Sequence, residues 1–252
     1  MTQHKKTPHW DKAGDWYQDC VGEKGHYYHE AILLKGVLRL LQLQPKQSLL
    51  DLGCGQGVLQ RALPPQIEYT GVDQSKTLLT HAQKMASARF ITADVCEPLP
   101  LPKESFDAAC FLLSLQNMDK PEQAIAVAST HLKKEGKLLF ILNHPCFRIP
   151  RQSHWGIDEA KNTQYRRLDV YMTPQKIPIQ THPGKGEKSH TTYSFHYPLS
   201  CYINWCNQNK LSIIQMEEWC SDKTSEGGRA KMENRARKEF PMFLAILAQK
   251  TV

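Results

Sequence analysis

The sequence predicts an α/β fold in three layers, a doubly wound and mostly parallel sheet with helices on both faces. Three observations carry that expectation. Between residues 47 and 143, short apolar runs of strand length alternate with helix-length stretches. The first run passes straight into a glycine-rich turn, Gly53-Cys-Gly-Gln-Gly57, and then into a helix. An aspartate stands at the end of each of the first three runs, at Asp51, Asp73 and Asp94.

The elements follow in order. Ala31–Leu43 has the apolar spacing of an amphipathic helix and is stopped by Pro45. Buried strands are expected at Leu49–Leu52, Ile67–Val72, Phe90–Ala93, Ala108–Leu113 and Leu138–Leu142. Helices fall between them at Val58–Leu63, Ser75–Ala86 and Pro121–Lys134. Ser75 suits an N-cap. Asp119, with Glu122 three residues on, has the form of a capping box, and Pro121 fits a first turn. Lys133 and Lys134 complement the C-terminal dipole of that helix, and Gly136 lets the chain turn into the next strand. Residues 144–197 carry aromatic, Arg, His, Pro and Gly residues without a sustained period, so they read as an ordered insertion. A helix at Pro198–Asn209, a strand at Leu211–Trp219, a solvated charged loop at Lys223–Lys238 and a last strand at Phe240–Ala248 complete the chain.

Composition narrows the class. The chain has 252 residues, 40% of them hydrophobic, with 5 Trp, 9 Tyr and 8 Phe, which is enough for a core without disulfides or metal. The longest nearly unbroken apolar run, Phe240–Ala248, is far short of the roughly 20 residues needed to cross a bilayer. The first ten residues contain no apolar stretch, and the 8 cysteines form no Cys-x-x-Cys pair. A cytoplasmic protein with reduced thiols and no bound metal is the expectation. His26 and His29 are spaced as metal ligands can be, but no third ligand accompanies them. The net charge of +7 permits an anionic partner without requiring one, so nucleic acid is possible but not favoured.

The turn itself points to a ligand. Glycines at 53, 55 and 57 let the backbone bend tightly and approach a bound molecule. Their G-x-G-x-G spacing differs from the dinucleotide pattern G-x-G-x-x-G. Asp51, two residues before the first glycine, would repel a pyrophosphate but attract an ammonium or sulfonium. Asp73 ends the second strand, where an acid can accept from ribose hydroxyls. Asp94 ends the third, where it can accept from an adenine amine. A ligand cationic at one end and nucleoside-like at the other is S-adenosylmethionine.

At this point the chain resembles the class I S-adenosylmethionine-dependent methyltransferases, and within them the small-molecule (type 11) group that includes quinone-biosynthesis enzymes. The matching segments are Asp51-Leu-Gly-Cys-Gly-Gln-Gly57, Gly71-Val-Asp-Gln-Ser75, Ala93-Asp-Val95, Phe106-Asp107 with Leu112-Leu-Ser-Leu115, and Glu135-Gly-Lys-Leu-Leu139, in the family's order. The resemblance implies a Rossmann-like sheet of seven strands whose last, Phe240–Ala248, inserts antiparallel. It implies that Asp51 serves the methionine end, Asp73 the ribose, Asp94 and Val95 the adenine. Leu113 and Ser114 would lie beside the sulfonium, with Gly53, Cys54, Gly55, Gly57 and Gln74 lining the same site. Tyr28, with Tyr17 and His29, would close over the cofactor. The organisation expected is a helical cap over residues 1–45, a cofactor-binding core over 46–143, an acceptor cover inserted over 144–197, and the rest of the sheet over 198–252.

The acceptor side is less defined. Ser114-Leu-Gln-Asn-Met118 replaces the Asn/Asp-Pro-Pro-Tyr of enzymes that methylate amino-nucleobases. Pro145-Cys146 follows the fifth strand, so Cys146 reads as a packed turn rather than a nucleophile. His144 and His196 are the candidates for a general base. Phe147, Trp155 and Tyr171 could stack on an acceptor, Arg148 and Arg166 could hold an anionic group, and Glu217 or Glu218, with Glu218 preferred, could face it. Methyl transfer to the O, N or C atom of an aromatic or anionic small molecule is the function expected. The alternatives are methylation of RNA or protein, and a cofactor-binding module without catalysis.

Overall fold

The computed structural model describes residues 9–22, 25–181 and 189–251, with the side chains of His9 and Cys20 excepted. Parts of the expected cap (1–8, 23 and 24) and of the insertion (182–188) lie outside the described residues.

Helix α1 (His9–Val21) opens the described chain. A π-helical turn at His29–Leu33 runs into α2 (Leu34–Leu41), which ends with Gln42 in the left-handed region. The core then alternates: β1 (Ser48–Leu52), α3 (Val58–Ala62), β2 (Glu68–Asp73), α4 (Lys76–Met85), β3 (Arg89–Thr92), β4 (Phe106–Leu112), α5 (Pro121–His131) and β5 (Leu132–Asn143). After the insertion come α6 (Leu199–Gln208), β10 (Leu211–Trp219), α7 (Ala230–Glu239) and β11 (Phe243–Lys250). Seven of these strands form one sheet in the order β10-β11-β5-β4-β1-β2-β3. All neighbours are parallel except β11, which is antiparallel to both β10 and β5.

Alternation along each strand builds two cores. Leu50, Leu52, Ala109, Phe111, Phe140 and Ile246 face one layer with Ile125 of α5 and Tyr202 of α6. Leu49, Cys110, Leu139, Ile141 and Leu247 face the other with Val37 and Leu40 of α2 and Leu59 of α3. Successive strand residues thus bury on opposite sides, which is why the apolar runs are continuous rather than alternating. Reversing the order of strands at β1 leaves the ends of β1, β2 and β4 facing one crevice.

Several local expectations need correction. Pro121 fixes the first helical φ of α5, so Lys120 becomes the N-cap, no side chain caps it, and Asp119 lies one residue too early for a capping box. The helix stops at His131, because Leu132 pairs with Phe106 and Lys133 bonds the Asp107 carboxylate at 2.9 Å. Lys133 and Lys134 therefore start β5 and do not serve a helix dipole. Glu135, at φ 65°, makes the reversal expected of Gly136. Lys223–Lys238 is not wholly loop: Met232 and Ala236, four residues apart, bury one side of α7. The insertion is two β-hairpins, β6 (Ser153–Asp158) with β7 (Thr163–Leu168) and β8 (Gln175–Gln180) with β9 (Thr191–His196).

Helix α2 lies so close to β10 that a Cβ on Gly36 would collide with the Trp219 ring. Gly36→Ala is expected to lower stability by about 1–3 kcal/mol through overpacking, read as a lower urea midpoint. An unchanged midpoint would show that the ring can move aside.

Candidate active site

The site grows from the end of β1. Its five residues are all buried, and Gly53 then takes φ 72°. That turn lets the amides of Gly53 and Cys54 both donate to the Val72 carbonyl, at 2.8 and 3.1 Å. A Cβ on Gly53 would lie 2.6 Å from that of Ser114, so only glycine lets β1 and β4 end side by side. Ser114 itself donates its hydroxyl to the Leu52 carbonyl at 2.6 Å.

Three carboxylates meet this turn in different states. Asp51 is 2% exposed; Tyr69 donates to its Oδ2 at 2.7 Å, and among the described residues its Oδ1 has no partner. Burial pushes its carboxyl up to about 7, opposed by the Tyr69 hydrogen bond and reinforced by the nearby charge of Asp73. Asp73 accepts from the amides of Gly55 at 2.9 Å and Ser75 at 2.8 Å, and burial raises it too. Asp94 is exposed and accepts from the Cys96 amide at 2.9 Å.

These acids line a cleft of about 320 Å³, a volume that falls within the range of small-molecule sites, about 300–1,000 Å³. Gly53, Cys54, Gly55, Gln74, Val95, Leu113 and Ser114 line it with them. Gly57 sits behind, as the left-handed residue that opens α3. The structure therefore gathers the expected cofactor residues around one hollow, apart from Gly57 and Tyr28.

Sequence reasoning left out part of the wall. Trp10 lines the cleft because Asp11 clasps α1 to the start of α4, accepting from the Ser75 hydroxyl at 2.9 Å and the Thr77 amide at 3.1 Å. A single Trp near the start of the chain gives no signal of this. Gln56, fully buried, donates to the Gly22 carbonyl at 2.7 Å and ties the turn to the segment after α1. Its place inside the glycine motif was the available clue. Tyr17 and His29 also line the cleft. The His29 Nδ1 accepts from the His26 amide at 3.1 Å, and burial lowers its pKa to about 4, so the ring is neutral with its proton on Nε2.

The acceptor-side candidates divide into two groups. His144 is buried at the end of β5; its Nδ1 accepts from the Cys146 amide at 3.2 Å, so Nε2 donates to Glu218 Oε1 at 2.7 Å. Burial lowers its pKa, with Glu218 opposing the shift. Glu217 turns the other way and binds Arg39 of α2 at 2.9 Å, which holds its carboxyl down to about 2. Phe147 packs against His144 with ring centres 4.8 Å apart, and both Phe147 and Trp155 meet Phe240 edge-on. Tyr28 belongs to this neighbourhood, its hydroxyl 3.0 Å from Ser221 and its ring edge-on to Phe243. Arg166 donates to the Phe147 carbonyl and the Ser153 hydroxyl, each at 2.7 Å. The second group meets the first through Cys146. His196 binds the Tyr171 carbonyl at 2.6 Å, and the Tyr171 hydroxyl accepts from the Leu199 amide at 3.0 Å and, at 3.5 Å, the Cys146 thiol.

Comparison with known proteins finds similar chains and a shared fold. Residues 50–140 match the family model described as a methyltransferase domain. The chain is similar to an uncharacterised 37.1 kDa protein in transposon TN4556 of Streptomyces fradiae, 32% identical over 111 residues that cover 41% of this chain and 32% of that one. It is also similar to the demethylmenaquinone methyltransferase of Thermotoga maritima, 30% identical over 106 residues that cover 40% of this chain and 45% of the relative. The matched region spans less than half the length of either. Among solved structures it shares the fold of an S-adenosylmethionine-dependent methyltransferase from Mesorhizobium loti, with a TM-score of 0.65 and 24% identity over 86% of this chain and 95% of that one. Residues 50–140 thus match a methyltransferase domain, and the fold is shared with solved S-adenosylmethionine-dependent methyltransferases.

The Asp51 carboxyl gives the apo protein a pH signature. With its folded pKa near 7 against an ordinary 3.8, the group favours folding below about pH 4, and that contribution is lost as pH rises to 7. Asp51→Asn keeps an acceptor for Tyr69 and removes the charge. It is expected to raise the melting temperature more at pH 8 than at pH 5, and a gain equal at both would contradict the shifted pKa.

Proposed function

We propose that this chain is an S-adenosylmethionine-dependent methyltransferase acting on a small molecule. The observation that carries the reading is Asp51, a buried carboxylate on the cleft wall with one oxygen satisfied and the other without a partner. A buried acceptor left in this state is costly unless a ligand completes it. The ammonium of the methionine end has the charge and the donors to do so.

The rest of the wall fits the same cofactor. Each oxygen of Asp73 spends one lone pair on a backbone amide and keeps another for a ribose hydroxyl. Asp94 and the apolar Val95 suit the adenine amine and ring, and Leu113 and Ser114 flank the reacting end. Gly53, Cys54, Gly55, Gly57 and Gln74 shape the floor. The cofactor, when bound, supplies a methyl group activated by its sulfonium. The chain's own task is alignment and exclusion of water. Leu112, Leu113 and Met118 give the wall apolar surface, and α1 with the turn at His29 covers the opening through Trp10, Tyr17 and His29.

The acceptor approaches from residues 144–197. We place proton withdrawal at Glu218, whose exposed carboxylate is oriented by the Nε2 proton of the buried His144, rather than at His196, which is buried and held on a backbone carbonyl. Phe147, Arg148, Trp155, Arg166 and Glu218 border this approach, and Tyr171 supports the turn behind it. An aromatic or anionic acceptor suits them. No helix among the described residues is long and apolar enough to cross a membrane. The free cysteines among them support a cytoplasmic location.

Calorimetric titration with S-adenosylmethionine tests the cofactor. Wild-type protein is expected to bind, and Asp73→Ala to bind at least about tenfold more weakly, since a hydrogen bond to a charged group is worth about 1.5–3 kcal/mol. Absence of binding by the wild type would overturn the proposal. For the base, Glu218→Gln is expected to lower kcat more than KM and to flatten the acid limb of the pH profile. An unchanged profile would remove Glu218 from proton transfer.

A further inference from the structure

Among the described residues, the acids of the insertion are taken by other cations. Asp169 pairs with Arg167 at 2.6 Å, Asp158 with Lys161 at 3.7 Å, and Glu159 with Arg229 at 3.2 Å. Arg166 is held on the Phe147 carbonyl and the Ser153 hydroxyl, with its guanidinium 4.9 Å from the centre of the Trp155 ring. Arg148 is different. It directly follows the Phe147 that Arg166 holds, and its amide bonds the His144 carbonyl at 2.7 Å, which fixes its backbone beside the end of β5. Its guanidinium is half-buried and, among the described residues, makes no hydrogen bond and no ion pair. Burial disfavours its charge, and Arg148, after burial, disfavours the charge of Arg166, as expected of two guanidiniums near one another. Tyr28, next in the chain to the His29 of the cleft wall, is the other group that Arg148 senses.

A half-buried guanidinium without a counter-charge is a cost that folding alone does not recover. A planar fork of donors matches the geometry of a carboxylate. We propose that Arg148 anchors the carboxylate of an aromatic carboxylic acid acceptor, with Arg166 as the positioning residue that holds the Phe147–Arg148 backbone. The donors of Arg166 are committed to the Phe147 carbonyl and the Ser153 hydroxyl, so one free planar fork remains, which matches the two coplanar oxygens of a carboxylate. The aromatic part of the acceptor follows from the rings of the adjoining elements: Phe147, next to Arg148 in the chain, and Trp155, both edge-on to Phe240. The acceptor's acid group would then lie away from the sulfonium, leaving its nucleophilic atom toward His144 and Glu218. This inference rests on the methyltransferase reading for the role of the bound acid, but the binding site can be tested without turnover.

The probe is benzoate, compared with the neutral benzamide and with phenyl phosphate at fixed ionic strength. Binding is measured by ligand-observed NMR on the full chain, with and without S-adenosylhomocysteine. Wild type is expected to bind benzoate at least about tenfold more tightly than benzamide, equivalent to about 1.4 kcal/mol. Arg148→Gln should abolish that preference and leave benzamide and S-adenosylhomocysteine binding unchanged. Arg148→Lys, which keeps the charge without the fork, should retain only part of it and serves where the Gln variant fails to fold. Arg166→Gln should weaken benzoate less than Arg148→Gln does. Equal binding of benzoate and benzamide, or full benzoate binding by Arg148→Gln, would overturn the subsite. Tighter binding of phenyl phosphate than of benzoate would overturn the choice of a carboxylate. Failure of S-adenosylhomocysteine to bind wild type would instead strike the cofactor reading, since the benzoate comparison is read separately.

Discussion

A carboxylate placed at the end of a central strand, 2% exposed and with one oxygen unpartnered, works against folding at neutral pH. Asp51 is held there by β1, all of whose residues are buried between β2 and β4, and by the Tyr69 hydroxyl from β2. The glycine turn that follows, the crossing of Val72 over two amides and the close approach of Ser114 all depend on β1 ending where it does. The proposed function depends on it as well, because a cationic ligand relieves the strain that an empty carboxylate stores.

The sheet supplies the remaining geometry. Strands leave β1 in opposite directions, so Asp73 and Asp94 line one side of the crevice while Leu113 and Ser114 line the other. The next strand end beyond β4 belongs to β5, and there His144 begins the insertion. The two hairpins between β5 and α6 bring arginines and aromatic rings to that same end of the sheet, beside Glu218 of β10. The cofactor cleft and the proposed acceptor approach are therefore adjacent because adjacent strands end beside one another, and Tyr28 and His29, consecutive in the chain, lie between them.

Much of this was legible in the sequence, for identifiable reasons. Strands buried on both faces leave continuous apolar runs, and Leu211–Trp219 was placed to the residue. The Gly53–Gly57 turn and the three aspartates carry their chemistry in residue type and spacing, so their convergence could be expected. What failed lies where tertiary contact overrides local pattern. Lys133 looks like the end of a helix, but Asp107 draws it into the sheet. The hairpins have no clean alternation, because both of their faces are partly exposed. Helix α7 buries only Met232 and Ala236, too few to show a period. Trp10 reaches the cleft through contacts of Asp11 some 64 residues distant in the chain, which no local pattern reports.

On the proposed function, Asp51 waits as a buried, partly protonated carboxyl for a cation. Its side-chain carboxyl can be followed directly by carbon-13 NMR across a pH titration, assigned by the signal missing from Asp51→Asn. The account predicts a midpoint near 7 for the free protein, falling by at least about one unit once S-adenosylmethionine is bound, as expected when an opposite charge comes within a few ångströms. A midpoint near 4 in the free protein, or one that cofactor leaves in place, would contradict it.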